Sequence, residues 1–432
     1  MRIAALRILA VAAIGSLLAG CSGSGSPSVP VGGTPANPAA ASAGVFANYK
    51  AACDVVQPGD NDVCFALVRT DVGGAPGSAE RPLAASVPAG YGPAQLQAAY
   101  VLPSSTKGSG QTVALVESGD YPSAASDLSY YRNYFGLPPC TAQNGCFSKV
   151  GQTGSSTSLP RENASWAEET ALDMDMVSAT CPNCRILIVE ANSATTANLE
   201  AAENEAAKLG ATEISNSYGG SEYAASDPAF SHAGVVILAS AGDSGYAEGS
   251  TQPCSFASVV CAGGTSLRPA SNARGYVEVV WNDLASGYGA TGSGCSSKVA
   301  KPSWQTDTGC KKRSQSDVSF DADPEYGVAV YDTTPYEGYS GWLEFGGTSV
   351  ASPALAGVYA LAGNASSLGP TAAQAIWGDA GAGLWSITSG NDLSSREKCN
   401  ASYPYICTAG TGADGVYSGP AGWGTPDGVS DF

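Results

Sequence analysis

The feature that most constrains the fold is an alternation of apolar, β-branched runs with helix-like segments. Helical patterns at 165–180 and 194–209 lie between runs that are apolar on both faces, which is typical of strands buried in a parallel sheet. The apolar runs are TVALVES (112–118), RILIVEA (185–191), EISNSYG (213–219), VVILASAGD (235–243) and VVCAGGT (259–265). We therefore predict an α/β fold with a doubly wound, mostly parallel sheet flanked by helices, and ligands beyond the carboxyl ends of its strands.

The N-terminus predicts export. It carries two arginines, an apolar stretch that is short for a membrane span, and then small residues, so residues 1–20 are interpreted as a signal peptide. Leu18-Ala19-Gly20-Cys21 resembles the bacterial lipobox, which implies a lipid on Cys21 and anchoring to the cell envelope. A plain signal with an incidental cysteine is the alternative. Residues 21–45 are rich in Gly, Ser, Pro and Ala and are expected to form a flexible tether.

The cysteines indicate disulfide bonds. Apart from Cys21, twelve of the thirteen cysteines remain, and an even number in an exported chain is typical of disulfide pairing. Cys181 and Cys184 also have the spacing of a zinc knuckle or redox pair, but no second CxxC or histidine cluster accompanies them. Pairing of sequence neighbours gives Cys53–Cys64, Cys140–Cys146, Cys181–Cys184, Cys254–Cys261, Cys295–Cys310 and Cys399–Cys407.

The charge balance limits the partners. The net charge is -18 and the sequence pI is near 4.3. Such a surface repels nucleic acid and approaches neutrality only in acid. The pattern indicates that nucleic acid is not a partner, and we expect the chain to be a monomer. It is consistent both with ordinary solubility and with work at low pH.

The stretch GGTSVASPALAG, at 346–357, predicts a tight turn that enters a helix. Ser349 would lie where backbone N–H groups and the helix dipole favour negative charge. An ordinary N-cap is the simpler reading of such a serine, but two preceding glycines and the small residues after it allow close approach. A serine nucleophile also requires an adjacent base.

Three acids and one histidine are candidate partners for this serine. His232 directly precedes a buried strand and has no helix-start context, which indicates a structural role. Glu169 and Asp173 lie four residues apart on a helical pattern, so their carboxyls share one face. If buried near the serine they would share a proton and leave a base that functions in acid, whereas a solvated acidic face is the common alternative. Asp243 ends a strand in a glycine turn, where a protonated acid could donate to an oxyanion.

Together these motifs resemble the sedolisin family, which are serine-carboxyl peptidases with a subtilisin-like fold. The matching stretches are Glu169-Thr-Ala-Leu-Asp173, ASAGDSG and GGTSVASP. The resemblance implies that Glu169 takes the proton from Ser349, that Asp173 supports it, and that protonated Asp243 stabilises the oxyanion. Activity is then expected below neutral pH. By analogy, ISNSYGG supplies a strand that pairs with the substrate backbone through Ser217, Tyr218, Gly219 and Gly220.

The resemblance also implies a division of the chain into two segments, and the chain departs from the family in its propeptide and its calcium site. Residues 46–85 would be a short, truncated prosegment-like segment and residues 86–432 the peptidase domain. Family members usually carry a long folded propeptide, so autoprocessing as the family does it is not expected. The family binds calcium near its C-terminus through two aspartates, but Ser386 and Ser418 stand at the matching positions, with Asp392 and Asp414 nearby. Calcium prefers carboxylate ligands, so its binding is not established by the sequence.

We therefore predict an exported acid endopeptidase that hydrolyses peptide bonds through an acyl-enzyme on Ser349. The main alternative is a catalytically silent, peptide-binding surface lipoprotein of the same fold. A Ser/His/Asp enzyme with His232 as base is a further alternative, and an ordinary carboxylesterase is disfavoured because no GxSxG elbow is present. The sequence does not distinguish endopeptidase from tripeptidyl activity.

Overall fold

The computed structural model describes residues 49–53, 59–72, 88–412 and 416–432. The expected signal peptide, Cys21 and the tether lie outside the described residues, as does the expected domain boundary at residue 85. No helix among the described residues is both long and apolar enough to cross a membrane.

Nineteen strands and seven helices make up the described part of the chain. The helices are α1 (Pro93–Ala99), α2 (Ala124–Tyr134), α3 (Ala164–Thr180), α4 (Thr196–Lys208), α5 (Thr348–Ala362), α6 (Ala365–Leu368) and α7 (Ala372–Asp379). The strands are β1 (Tyr49–Ala51), β2 (Asp62–Cys64), β3 (Leu67–Arg69), β4 (Thr112–Ser118), β5 (Phe147–Gly151), β6 (Arg185–Ala191), β7 (Glu213–Asn216), β8 (Tyr218–Ser221), β9 (Val236–Ser240), β10 (Thr251–Gln252), β11 (Val259–Pro269), β12 (Tyr276–Val280), β13 (Gly294–Ala300), β14 (Lys312–Gln315), β15 (Val318–Asp321), β16 (Val328–Tyr336), β17 (Tyr339–Gly346), β18 (Leu384–Trp385) and β19 (Thr425–Pro426).

The central sheet has eight strands in the order β12-β11-β9-β7-β4-β6-β5, with β15 also paired to β11. All of its pairings are parallel except that of β11 with β12. After β4 the chain builds one side of the sheet through β5 and β6 and then the other through β7, β9 and β11. Beside β4 the strand order therefore reverses, and ligand sites form at such a switch point.

The predicted strands and helices are largely confirmed, with two corrections at strand ends. The run at 213–219 is not one strand, because β7 ends at Asn216 and β8 begins at Tyr218 in a separate sheet with β10 and β2. The run at 235–243 ends as a strand at Ser240, so Asp243 lies in the following turn. Gly242 provides that turn with a φ of 107°, which a residue with a side chain rarely adopts.

Helix α3 is buried along almost its whole length. The side chain of Asn163 accepts a hydrogen bond from the N–H of Trp166 and begins the helix. Residues 165–180 are all buried, and these include the four acids Glu168, Glu169, Asp173 and Asp175. The solvated acidic face considered from the sequence is therefore wrong. Helix α3 packs against α5, which contacts the central strands β7 and β9.

The N-terminal residues contribute strands to this body. Strands β1 and β3 extend the antiparallel pair β16 and β17, in the order β1-β3-β17-β16. Strand β2 pairs with β8. All six expected cysteine pairs are joined as disulfides, including Cys181–Cys184.

Candidate active site

The candidate residues meet at the carboxyl ends of the central strands. Asp243 follows β9, Ser217 follows β7, and Ser349 is the second residue of α5. The hydroxyl of Ser240, the last residue of β9, donates to the carbonyl of Thr348 at 2.9 Å and fixes the start of α5 there. The structure therefore brings the serine to the edge of the sheet where the sequence predicts the site.

Gly347 makes the sharp entry into α5 possible. It precedes the helix with a φ of 94°, in the region that favours glycine. A Cβ at this position would also collide with the carbonyl oxygen of Phe65 and lie 2.5 Å from Oδ2 of Asp243. Only a glycine can leave room for both groups beside the first turn of the helix.

The hydroxyl of Ser349 is buried and held by two neighbours. Its Oγ donates to the carbonyl oxygen of Ser217 at 3.0 Å and accepts the N–H of Phe65 at 3.1 Å. The hydroxyl of Ser217 in turn donates to the carboxylate of Asp173 at 2.8 Å. One residue of the β7–β8 connection therefore contacts both the serine and the acid.

Three buried carboxyls lie next to one another beside this serine. Glu169 and Asp173 come from α3, and Glu117 comes from β4. Neither oxygen of Glu169 or of Glu117 has a hydrogen-bond partner at normal distance in the described part of the chain. Glu117 was not among the candidates predicted from the sequence, although an acid in the apolar run TVALVES is a signal that could have identified it.

Burial raises the pKa of all three acids. It raises the pKa of Asp173 to about 8, although the Ser217 hydroxyl and the two neighbouring glutamates oppose the shift. Burial, and next the charge of Asp173, raise the pKa of Glu169 and of Glu117 well above the usual range, while the Ser349 hydroxyl lowers that of Glu169. Carboxyls this close share protons, so the cluster retains them at pH values where isolated acids are ionised.

Asp243 lies on the other side of Ser349. Its Oδ1 accepts both the N–H and the hydroxyl of Thr348 at 2.8 Å, whereas its buried Oδ2 has no hydrogen-bond partner among the residues that the structure describes. Burial raises the pKa of Asp243 well above the usual range, and the hydrogen bonds from Thr348 oppose this. A proton on Oδ2 could donate to an oxygen near Gly347.

A peptide of this same chain lies across the site. The N–H of Phe65 donates to the carbonyl of Ser217 at 3.2 Å, and its carbonyl accepts the N–H of Ser349 at 3.0 Å. On one side of it, β2 pairs antiparallel with β8, matching Val63 to Gly219. On the other side β3 pairs antiparallel with β17. The groove between β8 and β17 therefore binds an extended backbone, and Phe65 lies beside Ser349.

The four residues expected to bind substrate have different positions. Gly219 and Gly220 lie opposite β2, and a Cβ on Gly219 would be 2.8 Å from the ring of Phe65. Ser217 contacts the peptide through its carbonyl. Tyr218 is in register with Cys64, but its buried side chain turns away and donates to Asn216 at 2.6 Å.

His232 is not part of this group. It precedes β9, whereas Thr348 and Ser349 lie beyond the carboxyl end of that strand. Five strand residues separate the two ends by about 16 Å. The Ser/His/Asp alternative therefore lacks its base.

The described residues do not form a fitting metal site. Only the sulfurs of Cys53 and Cys64 with Glu169 bring three potential ligand atoms together in this part of the chain, and the sulfurs are bonded to each other. At the expected calcium position Ser386 is exposed and Ser418 is buried, and neither offers a carboxylate. The carboxyl of Asp392 accepts the hydroxyl of Ser293, and Asp414 lies outside the described residues. This donor set does not fit calcium.

Comparison with known proteins gives the following similarities. No protein-family model matches the chain. Sedolisin of Pseudomonas sp. (strain 101) is 29% identical over 390 residues, which cover 81% of this chain and 62% of that protein. Kumamolisin of Bacillus sp. (strain MN-32) is 30% identical over 323 residues, which cover 66% of this chain and 54% of that protein. The chain therefore spans little more than half the length of these relatives.

A solved structure has the same fold. It is Pseudomonas sedolisin, described as a serine-carboxyl proteinase complexed with two molecules of pseudo-iodotyrostatin. The TM-score is 0.63 at 24% identity, over 79% of this chain and 96% of that chain. The predicted subtilisin-like α/β fold is confirmed, and the similarities in sequence support the sedolisin family.

Proposed function

We propose that this chain is an acid-acting serine-carboxyl endopeptidase of the sedolisin family. The observation that carries the proposal is the placement of Ser349 between two kinds of buried acid. Glu169 and Asp173 lie on one side, and on the other lies Oδ2 of Asp243, which has no hydrogen-bond partner among the described residues. A base and an oxyanion donor are the two groups that acyl transfer to a serine requires.

The proposed reaction begins when the hydroxyl of Ser349 turns from the Ser217 carbonyl to Glu169. Its Oγ attacks the substrate carbonyl carbon while Glu169 takes the proton. Asp173 stabilises the cluster because the Ser217 hydroxyl holds it in place. The N–H of Ser349 and a proton on Asp243 then stabilise the oxyanion. Glu169 returns the proton to the leaving amine, and water hydrolyses the ester in a second, equivalent step.

An acid range of activity follows from the same groups. Asp243 must keep its proton, whereas the cluster of Glu117, Glu169 and Asp173 must have lost at least one proton so that it can act as the base. Because burial raises the pKa of Asp243, that condition extends upward from acid pH and ends where Asp243 ionises. A negative Oδ2 would repel the oxyanion, so the rate should fall as pH rises.

The length of the groove supports endopeptidase rather than tripeptidyl action. On the N-terminal side of Phe65, β2 reaches back to Asp62, and the N–H of Asn61 donates to the carbonyl of Ala194 at 3.1 Å. More than three residues of the bound segment therefore lie on the N-terminal side of the peptide bond that faces Ser349. A peptidase that removes tripeptides needs a barrier after the third residue, whereas the backbone here continues past it.

The cellular setting is part of the proposal. The sequence of residues 1–21 supports export and a lipid anchor on Cys21. The similarity to sedolisin and kumamolisin supports peptides or proteins as substrates, and we propose that the body is a monomer. The acidic composition disfavours nucleic acid as a partner. No cation is assigned a role, because serines occupy the positions where carboxylates were expected.

The test is cleavage of acid-denatured haemoglobin from pH 3 to pH 8 by the purified full-length chain in detergent. Ser349→Ala should remove cleavage, whereas His232→Ala should leave it unchanged. Melting curves of both variants show whether they fold. Cleavage that persists in Ser349→Ala would overturn the proposal, and a rate maximum at neutral pH would contradict the roles of the acids. Peptide binding without turnover would favour the silent binding module.

A further inference from the structure

The backbone on both sides of Phe65 follows the path expected of a bound substrate. The Phe65 carbonyl accepts the N–H of Ser349, and it lies with Oδ2 of Asp243 beside Gly347. The ring of Phe65 packs on Gly219 of the groove strand β8. The peptide bond between Phe65 and Ala66 therefore lies at the nucleophile and the oxyanion donors. A reacting peptide bond would need the same position.

A disulfide fixes the segment on the N-terminal side of that bond. Cys64, the residue directly before Phe65, is bonded to Cys53. The two sulfurs and a carboxylate oxygen of Glu169 all lie within 4.8 Å of one another. The disulfide therefore covers the proposed base as well as holding the peptide.

Strand β1 fixes the segment on the C-terminal side of the bond. It pairs antiparallel with β3, and the N–H of Ala52 donates to the carbonyl of Ala66 at 3.0 Å. Because Cys53 directly follows Ala52, one short stretch is tied to both sides of the Phe65–Ala66 bond. Its ties are covalent on one side and hydrogen bonds on the other.

A buried ion pair attaches the same stretch to the catalytic helix. The ammonium of Lys50 in β1 contacts both oxygens of Glu168, at 2.8 and 2.9 Å. Lys50 is only 4% exposed, and Glu168 directly precedes Glu169 in α3. Removing Lys50 from this position would leave a buried carboxyl without its partner, which is costly. The segment is thus anchored beside the site independently of the groove itself.

We propose that residues 49–53 and 59–69 form a built-in inhibitory loop, which occupies the active site as a substrate that is cut but not released. The inference rests on the proposed function. Ser349 could attack the Phe65 carbonyl carbon, and the C–N bond to Ala66 would break with a proton passing to the Ala66 nitrogen. The new amine stays at the site because β1 holds Ala66. It then attacks the ester, re-forms the peptide bond and returns the proton to the serine, so cleavage of other substrates is slowed but not abolished.

The decisive variant removes the covalent tie. The full-length chain with Cys53→Ser and Cys64→Ser should cleave haemoglobin at least about tenfold faster than wild type in acid, because the loop loses its high effective concentration. Cys140→Ser with Cys146→Ser removes a disulfide outside the groove and is the matched control, which should stay at the wild-type rate. Phe65→Gly, which removes the ring from the groove, should also raise the rate. Melting curves establish that each variant is folded.

Mass spectrometry of the same samples follows the loop itself. The Cys53/Cys64 variant should accumulate a cut between Phe65 and Ala66, and adding Ser349→Ala should prevent that cut. Equal, measurable rates for wild type, the Cys53/Cys64 variant and Phe65→Gly would overturn the loop proposal, whereas the proposed peptidase function would stand. Fully active wild type already cut after Phe65 would make the bond a simple processing site, which also overturns it. Silence of every folded variant would overturn both proposals.

Discussion

Thr348 donates both its backbone N–H and its hydroxyl to one oxygen of Asp243, each at 2.8 Å. These two hydrogen bonds fix the orientation of the carboxyl. Because Oδ1 accepts both of them, a proton on the carboxyl is carried by Oδ2. The proton on Asp243 is therefore directed towards Gly347, where the Phe65 carbonyl lies.

Asp243→Asn tests that orientation. Asparagine can keep its oxygen towards Thr348 and place an amide N–H where Oδ2 stands, and this donor does not titrate. We expect the fall in kcat at higher pH to disappear, whereas Asp243→Ala should lower kcat by about 10²-fold or more at every pH. The measurement is kcat between pH 3 and pH 8 in a chain freed of the inhibitory loop. The same alkaline fall in Asp243→Asn would assign it to another group.

Glu169→Gln should trade activity for stability. The amide cannot accept the serine proton, so activity should fall by about 10²-fold or more. Because burial raises the pKa of Glu169, wild type loses unfolding free energy as pH rises from about 4 through neutrality, at roughly 1.4 kcal/mol per pKa unit. Glutamine does not ionise, so the variant should melt higher than wild type at pH 7 but equally at pH 4. A lower melting temperature at pH 7 would contradict this reading.

The whole protein should be more stable in acid than at neutral pH. Burial raises the pKa of Asp173 and of Glu213 to about 8, and it raises that of Asp62 to about 7. For each group the stabilising contribution is complete below the unfolded value near 4 and is lost as pH rises through the folded value. We expect Tm to fall by about 5 °C or more between pH 4 and pH 8, measured by scanning calorimetry. A Tm that rises over this interval would contradict the prediction.

The groove should prefer an aromatic residue at the position of Phe65. Gly219 provides the surface for the ring, and a Cβ there would approach it to 2.8 Å. Gly219→Ala should therefore lower kcat/KM for peptides cut after Phe more than for peptides cut after Ala, by about tenfold. Gly220→Ala is the control, because its Cβ meets the backbone of Asn61 rather than the ring. It should weaken both substrates equally, and equal effects of the two variants would refute the assignment of the pocket.

Removal of divalent cations should leave the protein unchanged. The described residues place no carboxylate at the Ser386 and Ser418 positions, so there is no charged ligand whose loss a chelator would expose. Tm and haemoglobin cleavage in EDTA should equal those in added calcium. A Tm that rises with calcium would show that other groups, Asp392 or Asp414 among them, supply the site.

Much of the central sheet could be predicted from the sequence, because its strands are buried on both faces and their apolar runs have no competing interpretation. The residues at which the strands end were less predictable. Ser217 lies where the chain leaves the central sheet after β7 and enters the separate sheet of β8. The hydropathy of the sequence does not indicate this change of sheet. Burial of α3 was also hidden, since its acids are covered by elements distant in sequence, such as Lys50 over Glu168.

The motifs around Glu169, Asp243 and Ser349 were visible because each is local in sequence. The contribution of Glu117 depends on which strand lies beside β6 and β7, which is a property of the sheet order. The position of Phe65 was hidden for the same reason, because its contacts with Ser217 and Ser349 are made across the fold. Sequence reasoning expected a short segment before the domain but had no means to place it in the groove.

The Phe65–Ala66 bond lies between the lipid-anchored end proposed for the chain and the peptidase body. Both cysteines of the Cys53–Cys64 disulfide lie on the N-terminal side of that bond, and the other five disulfides of the described residues lie on its C-terminal side, so none of these six crosses it. Once the ends separate, the body has no covalent link to the envelope. Unblocking the enzyme and shedding it from the cell would then be one irreversible event, and proteolysis would begin where the molecule diffuses rather than where it was tethered.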